Sequence, residues 1–292
     1  MTQEKQAILS ILFAGLLFTA TGMFVKVLTP NLPAMEMVFA RNFFGFVWIV
    51  VALWLNPPKT QQGGKPFVLF FRGFAGGTAM MAYFYNMSVM PLGTAFTFSA
   101  TSPIFLALLG VIFAHQKVSL KVWIAIFVGF LGILLISNPT SISLSFSGFT
   151  LGIYSGLGAA LAYLSIAKLS ANYDTRVIIA SLMLSGSILP LLTQLVPYEM
   201  YPIALFERFV MPSLWEWILI VGLGIVATYA QIYLTKAYSM GNPPIIGAMS
   251  YMTIFMATFA GILLGDKIPN LLVIIGMFLI ALSGSLAAFG KK

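Results

Sequence analysis

Ten apolar runs separated by short polar breaks organise this chain. They lie at roughly 7–28, 34–55, 67–89, 93–114, 120–137, 149–168, 177–196, 214–238, 244–264 and 269–289. A helix that crosses a bilayer needs about 20 mostly apolar residues. The pattern predicts an all-α polytopic membrane protein with ten transmembrane helices. The breaks at Met90–Leu92 and Gly265–Ile268 are so short that the runs flanking each form an antiparallel hairpin. The longest polar break, Pro197–Pro212, has room for a short interfacial helix. The first run, Ala7–Val27, spans a bilayer by length and is not followed by a small-x-small cleavage site, so it reads as the first transmembrane helix.

One stretch is unlike the rest. Tyr83–Phe105 is apolar on both sides of its break, yet it sets Asn86, Ser88, Thr94, Thr97, Ser99, Thr101 and Ser102 at membrane depth and Pro103 inside its second run. An echo returns at Tyr233–Phe255. At an offset of 150, Tyr83, Met90, Ile104, Phe105, Ala107 and Ile112 match Tyr233, Met240, Ile254, Phe255, Ala257 and Ile262. Both stretches read as a Tyr-bearing helix, a Gly/Pro break, a second helix and a polar stop at Gln116 or Asp266. The expected organisation is a five-helix unit at 1–138, an outer linker at 139–147 and a second five-helix unit at 148–292. Five is odd, so the second unit enters the membrane from the opposite side. Such inverted repeats place the solute site near the midplane between them.

Composition agrees with lipid. Of 292 residues, 60% are hydrophobic and 8% charged, against about 25% charged in soluble domains. The net charge of +8 does not point to nucleic acid, because the cations sit mainly between apolar runs. With the N-terminus inside, the inner face receives Lys5, Lys59, Lys65, Arg72, Lys117, Lys121, Lys168, Arg176, Lys236, Lys291 and Lys292, which is 11 of the 15 basic residues. That bias predicts two cytoplasmic termini. No cysteine is present and there is one histidine. Thiolate metal sites and a cysteine nucleophile are excluded, and no metal, cofactor or catalytic residue is expected. His115 falls in an inner loop beside Lys117 and reads as solvated.

Candidate site residues are the polar and aromatic groups at depth. Arg41 lies about seven residues inside the second span. It either snorkels outward to pair with Glu36 or enters the solute path. Thr94, Thr97, Phe98, Thr101 and Phe105 recur at three- and four-residue spacing and form one face. Tyr251 is the counterpart of Thr101 at the offset of 150. Tyr83, Gln231 and Tyr163 are further mid-depth groups, Gln231 foremost because an amide facing lipid is costly. The alternative for all of them is helix packing, where small and hydroxylated residues are common. Pro103 lacks an N–H and predicts a kink beside the hydroxyl face, with a gating role.

These features resemble the EamA-type branch of the drug/metabolite transporter superfamily. The first half resembles its pattern in Pro103-Ile104-Phe105 and Trp123…Gly129…Gly132. The second does so in Ala230…Ala237, Gly265-Asp266 and Gly276, and Arg41 stands at a family position. Gln116 and Asp266 stand where the family has Glu, and Thr253 where the second repeat has Pro. The resemblance implies an inner-membrane carrier of small organic metabolites, amino-acid-like or amphipathic, working by alternating access with export favoured. Uptake of a nucleotide-like metabolite and a lipid-carrier flippase are the alternatives. An intramembrane enzyme is disfavoured, since no paired acids or Ser–His set exist. The expected partners are a small-molecule substrate and the lipid bilayer, with the chain acting as a monomer.

Overall fold

A computed structural model describes residues 3–58, 62–114, 120–136, 145–199, 201, 203–241, 246, 247 and 249–289. The expectations for His115, Gln116, Lys117 and most of the 139–147 linker lie outside the described residues. The fold is all-helical. In chain order the helices are α1 (Gln3–Leu28), α2 (Ala34–Leu55), α3 (Pro66–Val89), α4 (Leu92–Ser99), α5 (Ser102–Ala114), α6 (Leu120–Ile136), α7 (Phe146–Leu169), α8 (Thr175–Thr193), α9 (Leu214–Met240), α10 (Met252–Leu263) and α11 (Leu271–Phe289). Six of these, α1, α2, α3, α7, α8 and α9, are long and apolar enough to cross a membrane, and they coincide with six expected spans. The other four expected spans hold the shorter apolar helices α4 with α5, α6, α10 and α11.

Local chemistry sets the helix ends. α3 starts with Pro66, whose missing N–H costs nothing in a first turn. Ser145 accepts a hydrogen bond from Gly148 N to start α7, and Asp174 accepts one from Arg176 N to start α8. At α9, Ser213 and Glu216 form a reciprocal capping box. The α10–α11 turn needs a left-handed residue, supplied by Gly265 at φ 92°. The Pro197–Pro212 break contains no helix among its described residues. Side-chain bonds hold it instead. Gln194 Nε2 donates to Glu207 O (3.1 Å), Phe209 N donates to Gln194 Oε1 (3.1 Å), and Val210 N donates to a Glu36 carboxylate oxygen (2.8 Å).

Helix packing is reciprocal between the halves. α1 packs on α9 and α3 on α7, α2 packs on α9 and α3 on α8, and α2–α8, α4–α10 and α6–α11 pair directly. The α3 contacts are close because glycines face them. A Cβ at Gly77 would lie 3.2 Å from Ser185 Cβ, and one at Gly158 would lie 2.8 Å from Ala79 Cβ. Both hairpins break at matching points. Ala100–Thr101 separates α4 from α5, and Ser250–Tyr251 separates the helical residues 246, 247 and 249 from α10. In each break a hydroxyl folds back: Thr101 Oγ1 donates to Phe98 O and Ser250 Oγ to Gly247 O, both at 2.6 Å.

Two ends of the bundle differ in what ties them. At one end, Lys26 Nζ pairs with Asp266 Oδ1 (3.2 Å) and donates to Met90 O (3.1 Å), while Asp266 Oδ2 accepts from Leu92 N (2.8 Å). At the other, Arg176 Nη1 donates to Ala52 O (2.9 Å) and Asn56 O (2.7 Å), and Lys65 Nζ donates to Lys168 O (3.2 Å). Between them the outer surface is apolar: Phe127, Ile218 and Phe259 are each more than half exposed, which demands lipid.

Candidate functional site

A cavity of about 120 Å³ lies inside the bundle. Its walls come from α1, α2, α3 and the α4–α5 break on one side, and from α7, α8, α9 and the Ser250–Ile254 segment on the other. Four of the sequence candidates meet there: Arg41, Tyr83, Tyr163 and Gln231. The cavity also contains a residue that the charge pattern assigned to the inner face, Arg72.

Arg41 does not snorkel. It is 2% exposed, and Glu36 is engaged by Val210 N instead. Its Nη1 is directed at Met80 Sδ, and its Cζ sits 5.6 Å from the centroid of the Phe84 ring, in cation–π range. Its Nε has no hydrogen-bond partner among the described residues. Arg72 is 1% exposed and lies against Gly76, where a Cβ would collide with Nη1. Its Nε and Nη2 have no partner among the described residues. The signal that could have found it is Gly76, one turn further along the same helix, which makes room for an inward-turned guanidinium.

Aromatic rings flank the two cations. Tyr83 meets Phe96 edge-on at 5.3 Å, and Tyr163 stacks on Tyr238 at 4.5 Å with 21° between the planes. Gln231 is buried, and its Nε2 donates to Thr235 Oγ1 over a long 3.3 Å, so most of its capacity is free for a ligand. Thr21, Ser99, Ser102, Ser155, Ser250 and Thr253 complete the polar lining among the described residues. No Asp or Glu is among the lining residues that the structure describes.

The remaining candidates lie outside the lining. Phe98 packs edge-on to Phe149 at 6.1 Å under Gly152. Thr101 is fully buried against Gly156, and its hydroxyl is spent on Phe98 O. Phe105 joins the apolar cluster around Leu106 and Ala160. Tyr251 is 3% exposed with its hydroxyl unpartnered among the described residues. Thr101 and Tyr251 sit in the helix breaks at Ala100–Thr101 and Ser250–Tyr251, and their neighbours Ser99, Ser102, Ser250 and Thr253 line the cavity in their place. Pro103 packs on Gly247, where a Cβ would lie 2.6 Å from Pro103 Cγ. The break that Pro103 predicts is present two residues before it.

A helical bundle with an internal polar cavity admits several functions, and comparison with known proteins narrows them. The EamA-like transporter family matches residues 5–138. An uncharacterized transporter of Helicobacter pylori is 31% identical over 281 residues, 95% of this chain and 93% of that protein. The chain belongs to the EamA-like transporter family. The pseudopaline exporter of Pseudomonas aeruginosa is 28% identical to this EamA-like transporter, over 96% of the chain and 94% of the exporter. The S-adenosylmethionine uptake transporter of Rickettsia felis is 22% identical, over 86% and 82%. A solved crystal structure superposes with a TM-score of 0.70 at 17% identity, covering 97% of this chain and 96% of that one. That likeness bears on the fold alone. Both cavity arginines of this EamA-like transporter fall within the segment that carries the family match.

Proposed function

We propose that this EamA-like transporter moves small organic metabolites, amino-acid-like or amphipathic, across the inner membrane by alternating access, with export as its direction. The observation that carries this reading is the cavity itself: one polar and aromatic chamber walled by both halves of the chain, deep in a bundle with an apolar exterior. A solute leaving water must recover its hydrogen bonds, and Gln231, the serines and the arginines can supply them.

Alternating access needs two conformations of similar energy. Reciprocal packing of α1–α9 with α7–α3, and of α2–α9 with α8–α3, supports an inverted repeat of 1–138 and 148–292 as its origin. The matched breaks at 100–101 and 250–251 support it too. In this reading the Lys26–Asp266 link closes the outer end, and the Arg176 contacts close the cytoplasmic end in the opposite state. The bias of basic residues toward the Arg176 end supports two cytoplasmic termini.

Export is favoured because the relative named as an exporter is 28% identical and the one named for uptake 22%. Uptake of a nucleotide-like metabolite is the second reading, and the Rickettsia relatives named for S-adenosylmethionine uptake support it. The test is accumulation in inside-out membrane vesicles against right-side-out vesicles, over amino acids, nucleosides and cationic dyes. Accumulation in the inside-out set is expected. Accumulation only in the right-side-out set overturns export, and none in either overturns transport of these solutes. A cysteine at Glu199 should react with an impermeant maleimide in whole cells; labelling only after lysis reverses the orientation.

A further inference from the structure

The cavity holds two cations and, among the described residues, no counter-charge. Arg41 and Arg72 are 2% and 1% exposed, and arginine does not discharge in proteins. The acids nearest by sequence or fold are committed elsewhere: Glu36 to Val210 N, Asp174 to Arg176, Glu216 to Ser213 N, and Asp266 to Lys26 and Leu92 N. A buried charge without a partner is costly, and inside a membrane such a residue marks a solute path. The missing partner therefore arrives with the solute.

The spacing says what that solute carries. Both guanidiniums address the same wall. Arg72 lies against Gly76 of α3, and Arg41 points at Met80 of α3. Those two positions are one turn apart, about 6 Å along the helix. The Phe84 ring lies over a face of the Arg41 guanidinium and Nη1 is turned to Met80, while Nε has no hydrogen-bond partner among the described residues, on the in-plane edge of the kind a carboxylate grips. Arg72 Nε and Nη2 are buried and likewise have no hydrogen-bond partner among the described residues. Around the pair, Tyr83, Phe96, Tyr163 and Tyr238 offer rings to an organic body, and Gln231 offers an amide.

We infer that the solute of this cavity is an organic dianion whose two carboxylate groups, two or three carbon atoms apart, bridge Arg41 and Arg72. The inference rests on the carrier reading for its physiological meaning, and its test separates the two. The purified full chain in detergent is titrated calorimetrically with N-benzoyl-L-glutamate, with N-benzoyl-L-glutamine, and with the α-amide of N-benzoyl-L-glutamine. These carry two, one and no carboxylates on one skeleton. The diacid is expected to bind about tenfold more tightly than the monoacid, and the monoacid more tightly than the diamide. Arg41→Gln and Arg72→Gln should each bring the diacid-to-monoacid ratio to about one. The ladder on the unaltered protein carries the test should either variant fail to fold.

Equal binding of the three probes, or no binding of the diacid, overturns the inference. So does displacement of the diacid by an equal concentration of inorganic phosphate, which would mark a site for small anions. Diacid that binds but never enters proteoliposomes would sink the carrier reading and leave the charge preference standing. Transport of neutral or cationic solutes with no preference for the diacid would do the reverse.

Discussion

Two places in this protein hold a cation within the helical bundle, and the chain treats them in opposite ways. Lys26 is paired with Asp266 and bonded to Met90 O, which ties α1 to both hairpin turns. Arg41 and Arg72 are more deeply buried and receive no carboxylate from the described residues. The first arrangement is complete without a ligand and acts as a tie. The second is complete only when something negative enters. Depth alone does not distinguish a structural cation from a functional one. What distinguishes them is whether the chain supplies the partner.

The comparison can be broken at its strongest point first. Arg41→Gln and Arg72→Gln should each lower initial uptake into proteoliposomes by about tenfold or more, since each deletes a charge-assisted contact. Neither should lower the thermal midpoint in detergent, because each removes an unpaired buried charge. A loss of stability together with loss of transport would mean that these arginines are structural after all.

The tie should give the contrary pattern. Lys26→Ala strands Asp266 and should destabilise the fold by about 1–2 kcal/mol, with a smaller effect on transport than either arginine change. The double exchange Lys26→Asp with Asp266→Lys should recover part of the thermal midpoint. Recovery of nothing would show that the Met90 and Leu92 bonds, not the ion pair, hold the turns.

Gln231→Leu sharpens the picture further. Its amide makes a single long bond to Thr235 within the chain, so the fold should persist while the ratio of uptake between polar and apolar solutes shifts by a few fold, on the order of one hydrogen bond. An unchanged ratio in competition uptake would remove Gln231 from the site.

The smallest effect belongs outside the membrane-spanning segments. Asp174 caps α8, and the hydrogen bond from the Arg176 side chain holds its carboxyl below the usual range. A lowered value stabilises the fold above about pH 4 and loses that contribution as pH falls through it. Asp174→Ala should therefore cost about 1 kcal/mol at neutral pH, and the gap to the unaltered protein should close in acid. A thermal-melt series across pH checks this, and transport should not change.

The sequence was a good guide to where helices lie and a poor guide to which way they face. Apolar runs and their breaks fix depth, so the α3–α4 and α10–α11 turns, the six long spans and the position of Arg41 are legible, although α11 packs on α6 and not on α10 as the expected hairpin had it. Facing depends on neighbours. Arg72 sits near the start of an apolar run, where a cation that reaches out to water and one that turns inward have the same hydropathy. Only packing against Gly76 decides between them. The hydroxyl face through Thr101 assumed one continuous helix. The backbone instead turns at Ala100, which hands the cavity to Ser99 and Ser102. The Pro197–Pro212 segment had room for a helix, but its bonds to Gln194 and Glu36 use the backbone in another way.

The close glycine packing of α3 against α7 and α8 bears on how the protein is made. α3 is the least apolar of the six long helices, and it carries Arg72. An arginine at the centre of a lone helix costs roughly 2.5–3.5 kcal/mol to insert, and one nearer the end, like Arg72, costs less but still disfavours insertion. The surfaces that bury it, α7 and α8, are synthesised only after the first half is complete. α3 is therefore expected to insert less readily alone than in the full chain, which glycosylation mapping of chains truncated after residue 138 would test. In a chain ending after residue 138, Arg72 would lack the α7 and α8 surfaces that bury it.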